Sequence, residues 1–414
     1  KDAVGFYREL VREHAENRWI EGELAIASRR LARLLMETAS SEDALEAGLE
    51  ALRLSQTLHR RLPRNPDLRH GIALCHVMLA HVYLKRGRLD EAFASTEAAI
   101  PLFRGLVEEF PDRVAYRVDL TGVLGNHGLA LHGARRLDQA REIWTTLADE
   151  LETLTRLEPE FRAYRVQLAT ARNNLAFVTQ GPTKIAHLRQ ALALRMELSR
   201  GSTGFALRDL AQTRKNLATA LAAEGNHDES DRLFEVAIQD AERTVTANPE
   251  VPEFHFVMGS VLSAFATSLA NRGRLVEARR FYESSFARLE TVLRDDPKHT
   301  LGRRELRSVC RDLGKISVNL GDRAGAFALS ARGRPYLGED PEWWADQARQ
   351  FALILPNQGG PDDEPPTRAQ MIEAAAEAIT LARRFDRHSA ERLRADPSLA
   401  GIVQEPAIQK ALAP

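Results

Sequence analysis

The sequence predicts an all-α solenoid of about seven helical hairpins, and three observations lead there. Similar stretches return along the chain: "GRLDEAFASTEAAIPLFRGLVEEFP" at 87–111, "RRLDQAREIWTTLADELETLTRLEP" at 135–159 and "GRLVEARRFYESSFARLETVLRDDP" at 273–297. Glycine marks a period of 48 residues at Gly225, Gly273 and Gly321, and Gly87 is answered 48 residues on by Arg135. Apolar residues in "YRVDLTGVLGNHGLALHG" and "EARRFYESSFARLETVL" recur every three or four positions, which is the period of a helix and not of a strand. A single hairpin leaves its apolar face in water, whereas stacked hairpins bury it, so the repeat implies an array.

Each unit follows one plan. The first lacks the glycine but keeps Ala32, Ala44 and Pro63. The next two run Ala80, Gly87, Ala92, Pro111 and then Gly128, Arg135, Ala140, Pro159. An irregular unit of 42 residues follows, with Ala176 and Ala186 at the small positions, "GPTK" in the turn and "MELSRGSTGFALRD" in place of the closing proline. Ala218, Gly225, Ser230 and Pro249 restore the plan, Ala266, Gly273, Ala278 and Pro297 repeat it, and Gly314, Gly321 and Ala326 form the seventh unit. A glycine followed by a new amphipathic run reads as a helix stop and a turn. Pro101 is expected to kink or break the helix that holds it. Beyond the seventh unit, "PEWWADQARQFALIL" at 341–355 reads as a closing helix and "PNQGGPDDEPP" at 356–366 as linker. "TRAQMIEAAAEAITLARRF" is a helix of good formers within a tail. The expected organisation is therefore an array over 1–355, a linker over 356–366 and a small helical tail over 367–414.

The spacing of small residue, seven positions to glycine and five more to alanine resembles the tetratricopeptide repeat. The aromatics four residues after the alanine position, Trp144, Phe234 and Tyr282, match it too. The resemblance implies a right-handed superhelical solenoid whose first helices line the concave face. The family's usual period is 34, so each helix here is longer by seven residues. Seven residues are nearly two helical turns, and the buried face drifts by only about 20°.

Composition excludes more than it suggests. The 414 residues carry a formal net charge of −1, without the strongly basic face that nucleic acid demands. Only seven of the 57 basic residues are lysine, which reads mainly as a coding bias, with an arginine-rich binding surface as the alternative. Cys75 and Cys310 offer neither a disulfide framework nor a CxxC metal site, and fit a reducing cytoplasm. No apolar run is long enough to span a membrane, and no signal peptide is visible. The chain opens "KDAVGFYREL" without an initiator Met, so a fragment or a processed product is expected. No phosphate loop, nucleophile elbow, HExxH or kinase motif is present, and no enzyme activity or cofactor is expected. The pairs His76 with His81 and His127 with His132 stand five apart, off a common helical face, so no metal site is expected.

One polar pattern stands out. Asn126, Asn174 and Asn216 each precede the small residue of a first helix by two positions, and Asn173 and Lys215 precede two of them directly. An amide both donates and accepts, so such a ladder pairs with a peptide backbone of any sequence. Arg117, Arg165, Arg172, Arg214, Arg304, Arg307 and Arg311 also gather on first helices, to pair with a partner's carboxylates or with the acidic ends of neighbouring second helices. The expected partner-binding residues are Asn126, Asn173, Asn174, Asn216, Lys215, Arg172 and Arg311. The partner is a protein or peptide segment, with neither nucleic acid nor membrane insertion, and no signal sets an oligomeric state.

The ending also resembles the C-terminal half of planctomycete-type bacterial serine/threonine kinases. Their units read like "YRVQLATARNNLA" at 164–176, and they close on an Asp-Pro-x-Leu segment, here Asp396, Pro397 and Leu399, followed by Pro406 and Ile408. Ile408 stands where an aromatic is usual, and "GIVQ" replaces a more basic stretch. The expected function is thus a non-catalytic binding scaffold, with a regulatory domain of such a kinase as the alternative.

Overall fold

The computed structural model describes residues 23, 26, 27, 29, 30, 33, 41–355, 366–386 and 388–413. These hold seventeen α-helices and no strand. They are α1 (Ser41–Arg61), α2 (Pro66–Lys85), α3 (Leu89–Glu109), α4 (Val114–Gly133), α5 (Leu137–Leu157), α6 (Arg162–Phe177) and α7 (Gly181–Leu198). There follow α8 (Phe205–Ala223), α9 (His227–Ala247), α10 (Pro252–Ala270), α11 (Leu275–Asp295), α12 (Thr300–Asn319), α13 (Arg323–Leu337) and α14 (Pro341–Ile354). The ending holds α15 (Arg368–Phe385), α16 (Ser389–Arg394) and α17 (Pro406–Leu412), with a 3-10 turn at Pro397–Leu399.

The repeat is visible in backbone geometry. After α2, α4, α8, α10 and α12 the chain turns through a left-handed residue: Gly87, Arg135, Gly225, Gly273 and Gly321 have φ of 71°, 62°, 81°, 75° and 79°. In each turn the next amide reaches back five residues at 2.9–3.0 Å, as Arg88 N to Tyr83 O and Asn226 N to Leu221 O, which satisfies a carbonyl the helix end would leave orphaned. The opposite turns, 62–65, 110–113, 158–161, 248–251 and 296–299, are all four residues long with proline second. Proline has no amide hydrogen and pushes its predecessor out of the helical region, so α1, α3, α5, α9 and α11 all stop after 21 residues. Lengths of 19–21 residues for these helices and for α2, α4, α8, α10 and α12 match the expected two-turn extension.

The small positions lie where the helices of a hairpin approach each other. A Cβ on Gly128 would fall within the Trp144 ring, while Ala140, Ser230, Ala278 and Ala326 have no exposed surface. Trp144, Phe234 and Tyr282 are 1%, 0% and 2% exposed. In the irregular unit Ala186 is exposed, and the buried place twelve residues after Ala176 belongs to Leu188. The packing register therefore persists there. The shortening lies mainly in α7, which ends ten residues after Leu188, where α5 runs seventeen past Ala140. Pro101 does not break α3, which runs unbroken from Leu89 to Glu109; the ring is exposed and the missing bond falls on the solvent side.

Two compact units divide the chain, Lys1–Leu194 and Arg195–Pro414, with the division inside α7. In the first, Phe103, Tyr116, Leu124, Trp144 and Leu151 belong to one core. In the second, one core runs from Phe234 and Tyr282 to Trp343, Trp344, Met371 and Ile408. The helix at 341–355 pairs with α15 as a further hairpin, so the C-terminal residues extend the array's core. Ala32 and residues 356–365 of the expected linker lie outside the described residues.

Candidate binding face on the first helices

The first helices of the hairpins are α2, α4, α6, α8, α10, α12 and α14. In the second unit α8 packs on α10, α10 on α12 and α12 on α14, so their polar residues share one layer. Each hairpin repeats the last, so side chains that meet across this layer stand about one period apart in sequence.

In the first unit Asn126 is exposed on α4, and its Nδ2 lies 3.2 Å from His81 Nε2 on α2. Burial holds the His81 imidazole below its ordinary pKa, which favours the neutral ring and leaves it a lone pair for the amide. Asn173 and Asn174 are half-buried on α6. Nearer the start of the same helices, His70 Nε2 lies 2.6 Å from Asp119 Oδ2. Arg172 is turned to Glu152 on the preceding second helix, and Arg117 to Glu150.

In the second unit Asn216 is half-buried on α8. Its neighbour Lys215 sends Nζ to Ser260 Oγ on α10 at 3.0 Å, and Ser263 on α10 donates to Glu305 on α12. Burial pushes the Lys215 ammonium down, and the Glu305 carboxylate pulls the other way. Lys215 is thus a member of a seam joining three first helices. Arg311 pairs with Asp312 at 3.1 Å and takes Ser308 as a second partner at 3.0 Å. Arg214 meets Asp240 on α9, and Arg307 meets Asp340 at 3.2 Å. Arg117, Arg172 and Arg214 use carboxylates on second helices, as expected for one of their two uses, whereas Arg311 pairs on its own helix and Arg307 at the cap of α14.

The pairings place the expected residues unequally. Asn126, Asn173, Asn174 and Arg172 belong to the first unit, and Lys215, Asn216 and Arg311 to the second. Sequence reading missed His81, Ser260, Ser263 and Glu305. The signal for them was the period: His81 to Asn126 and Lys215 to Ser260 each span 45 residues, Ser263 to Glu305 spans 42. Among the described residues no three His, Cys, Asp or Glu converge as a metal site, and no helix is long and apolar enough to cross a membrane.

A tetratricopeptide repeat model matches residues 210–249, the hairpin of α8 and α9. The chain is also similar to a signal transduction ATPase with numerous domains, carrying a tetratricopeptide repeat sensor, from Pyrococcus horikoshii. The identity there is 12% at a TM-score of 0.52, over 93% of this chain and 56% of that one. The fold is a tetratricopeptide-like helical repeat. BtubC from P. vanneervenii is similar at 23% identity and a TM-score of 0.42, over 60% of this chain and 89% of that one. A Rap protein complexed with competence and sporulation factor is similar at 13% identity and a TM-score of 0.44, over 94% and 96%. No curated protein matches the chain in sequence.

Proposed function

We propose that this tetratricopeptide-like array is a non-catalytic scaffold that binds an extended peptide or protein segment along its first helices. The observation that carries this reading is the amide register: Asn126, Asn174 and Asn216 stand two residues before the small position in three successive hairpins. Asn126 is exposed on its helix, and its neutral partner His81 holds the amide by one edge only. A free amide edge donates and accepts, which suits backbone more than any one side chain. Arg172 is held by Glu152 and Arg311 by Asp312, each within its own unit. The test is an array of immobilised extended peptides probed with the chain and with an Asn126→Ala, Asn174→Ala, Asn216→Ala variant of equal helicity and melting temperature. Binding that falls at least tenfold in the variant supports the reading. Equal binding by both proteins sinks it.

A second reading, the regulatory part of a serine/threonine kinase, is favoured by the ending. The Asp396, Pro397, Leu399 segment that resembles those kinases is built into the core: Asp396 caps Ser398 and bonds Arg349 Nε at 2.7 Å, and Leu399 and Ile408 are fully buried. The sensor repeats of the Pyrococcus ATPase give the same arrangement of array and enzyme a parallel. A gene in which no kinase domain is joined to this chain overturns that reading.

A further inference from the structure

A cavity of about 260 Å³ lies in the first unit between the helical residues near 29, α1 and the start of α2. It is distinct from the amide register and does not depend on the peptide-binding reading. Its wall combines an apolar side, Ile26, Leu68 and Leu74, with a polar side, Arg29, Ser55 and His70. Arg29 is half-buried, and no hydrogen bond or ion pair holds its guanidinium among the described residues. Nearby, Arg69 and Arg86 each have a carboxylate, Glu109 and Glu42. Ser55 is 5% exposed and hydrogen-bonds the Cys75 thiol, which burial pushes up to about 11, so the thiol contributes no negative charge to compete for Arg29. His70 is fixed from behind by Asp119 at 2.6 Å and by the Tyr116 ring at 5.0 Å. The one carboxylate in the wall, Asp67, faces outward to Arg113 and the Tyr116 hydroxyl, each at 3.5 Å.

A planar guanidinium with no partner among the described residues, beside a buried hydroxyl and opposite an aliphatic wall, matches an anionic head on a short apolar body. We propose that this cavity binds a small monocarboxylic acid, its carboxylate on Arg29 and Ser55 and its hydrocarbon against Ile26, Leu68 and Leu74. A volume of about 260 Å³ lies below the range of drug-sized ligand pockets and suits a smaller molecule. Gly71 lines the same space, and the nearest atom to a Cβ built on it is Ser55 Oγ at 4.0 Å, so a side chain added there enters the cavity with little strain.

The test is isothermal titration of the full chain with hexanoate, with its neutral isostere hexanamide and with inorganic phosphate. Hexanoate is expected to bind at least tenfold more tightly than hexanamide, and Arg29→Gln to remove that difference. Gly71→Leu is expected to abolish binding of both, with a melting temperature at or above that of the parent chain, because leucine is a better helix former than glycine. If Arg29→Gln does not fold, Gly71→Leu still decides. Equal binding of hexanoate and hexanamide overturns the proposal, as does unchanged binding by a folded variant or the absence of saturation up to about 10 mM. Phosphate binding as tightly as hexanoate overturns the assignment of an apolar body and leaves an anion site only.

Discussion

At the scale of single residues, Arg135 is the clearest departure from the repeat. Four of the five left-handed turns use glycine, and this one forces a side chain to φ 62°. Its backbone makes the same five-residue bond, Arg136 N to Leu131 O at 2.9 Å, so the turn forms despite the strain. A left-handed non-glycine residue costs about 1–2 kcal/mol, partly offset by the lower unfolded-state entropy of arginine. Arg135→Gly should therefore raise stability by about 1 kcal/mol, read as a higher urea midpoint at unchanged slope. An unchanged or lower midpoint would mean that the exposed guanidinium makes a contact worth more than the strain. Lys215 illustrates a different limit at this scale. Its position beside Asn216 is plain in the sequence, but its burial against Ser260 depends on where α10 lies.

At the scale of elements, a strict spacing of 48 residues translates into second helices of 21 residues closed by a proline loop. Pro101 sits inside one of these and leaves the Glu97 carbonyl without its helical donor. Proline in a helix interior is less favourable than alanine by about 3 kcal/mol, and its stiffening of the unfolded chain returns part of that. Pro101→Ala should stabilise the protein by about 2 kcal/mol, visible as a higher melting temperature and slower amide exchange around Glu97 to Gly105. A lower melting temperature would show that a local bend at Pro101 is required for α3 to fit α2 and α4. Sequence reading expected a break because it weighed the ring without knowing which side of the helix it faced.

At the scale of the whole molecule the two units differ in how they titrate. Burial holds His76, His81, His127 and His187 below their ordinary pKa, and all four lie in the first unit. The unfolded chain takes up protons at these sites as pH falls below about 6.5, while the folded unit does so only at lower pH. Between those limits the unfolded state binds more protons, so the first unit's stability falls with falling pH. Lowering the pH from 7.5 to 5 should increase intrinsically corrected amide exchange in α2–α5 more than in α9–α13. Equal change in both segments would show that the buried rings do not govern acid stability.

The helical class, the hairpin period, the helix stops at the turns and the two-turn extension of each helix were legible in the sequence. These depend on local chemistry, glycine and proline at fixed offsets and apolar residues at helical spacing, which most of the repeats display. The sequence also determined that the amides share a register, because register is counted along the chain. Tertiary structure alone decided what those side chains touch. Ser260 reaches Lys215 and His81 reaches Asn126 only because neighbouring hairpins stack at a particular offset. Leu188 takes over the place that Ala186 was expected to fill for the same reason, since packing selects the residue twelve positions on whatever its identity. The cavity beside Arg29 is likewise a product of where Ile26 and Arg29 lie against α1 and α2. Spacing fixes which way a side chain points from its own helix, whereas its partner depends on a contact between helices, and that contact is set by the shape of the packed core.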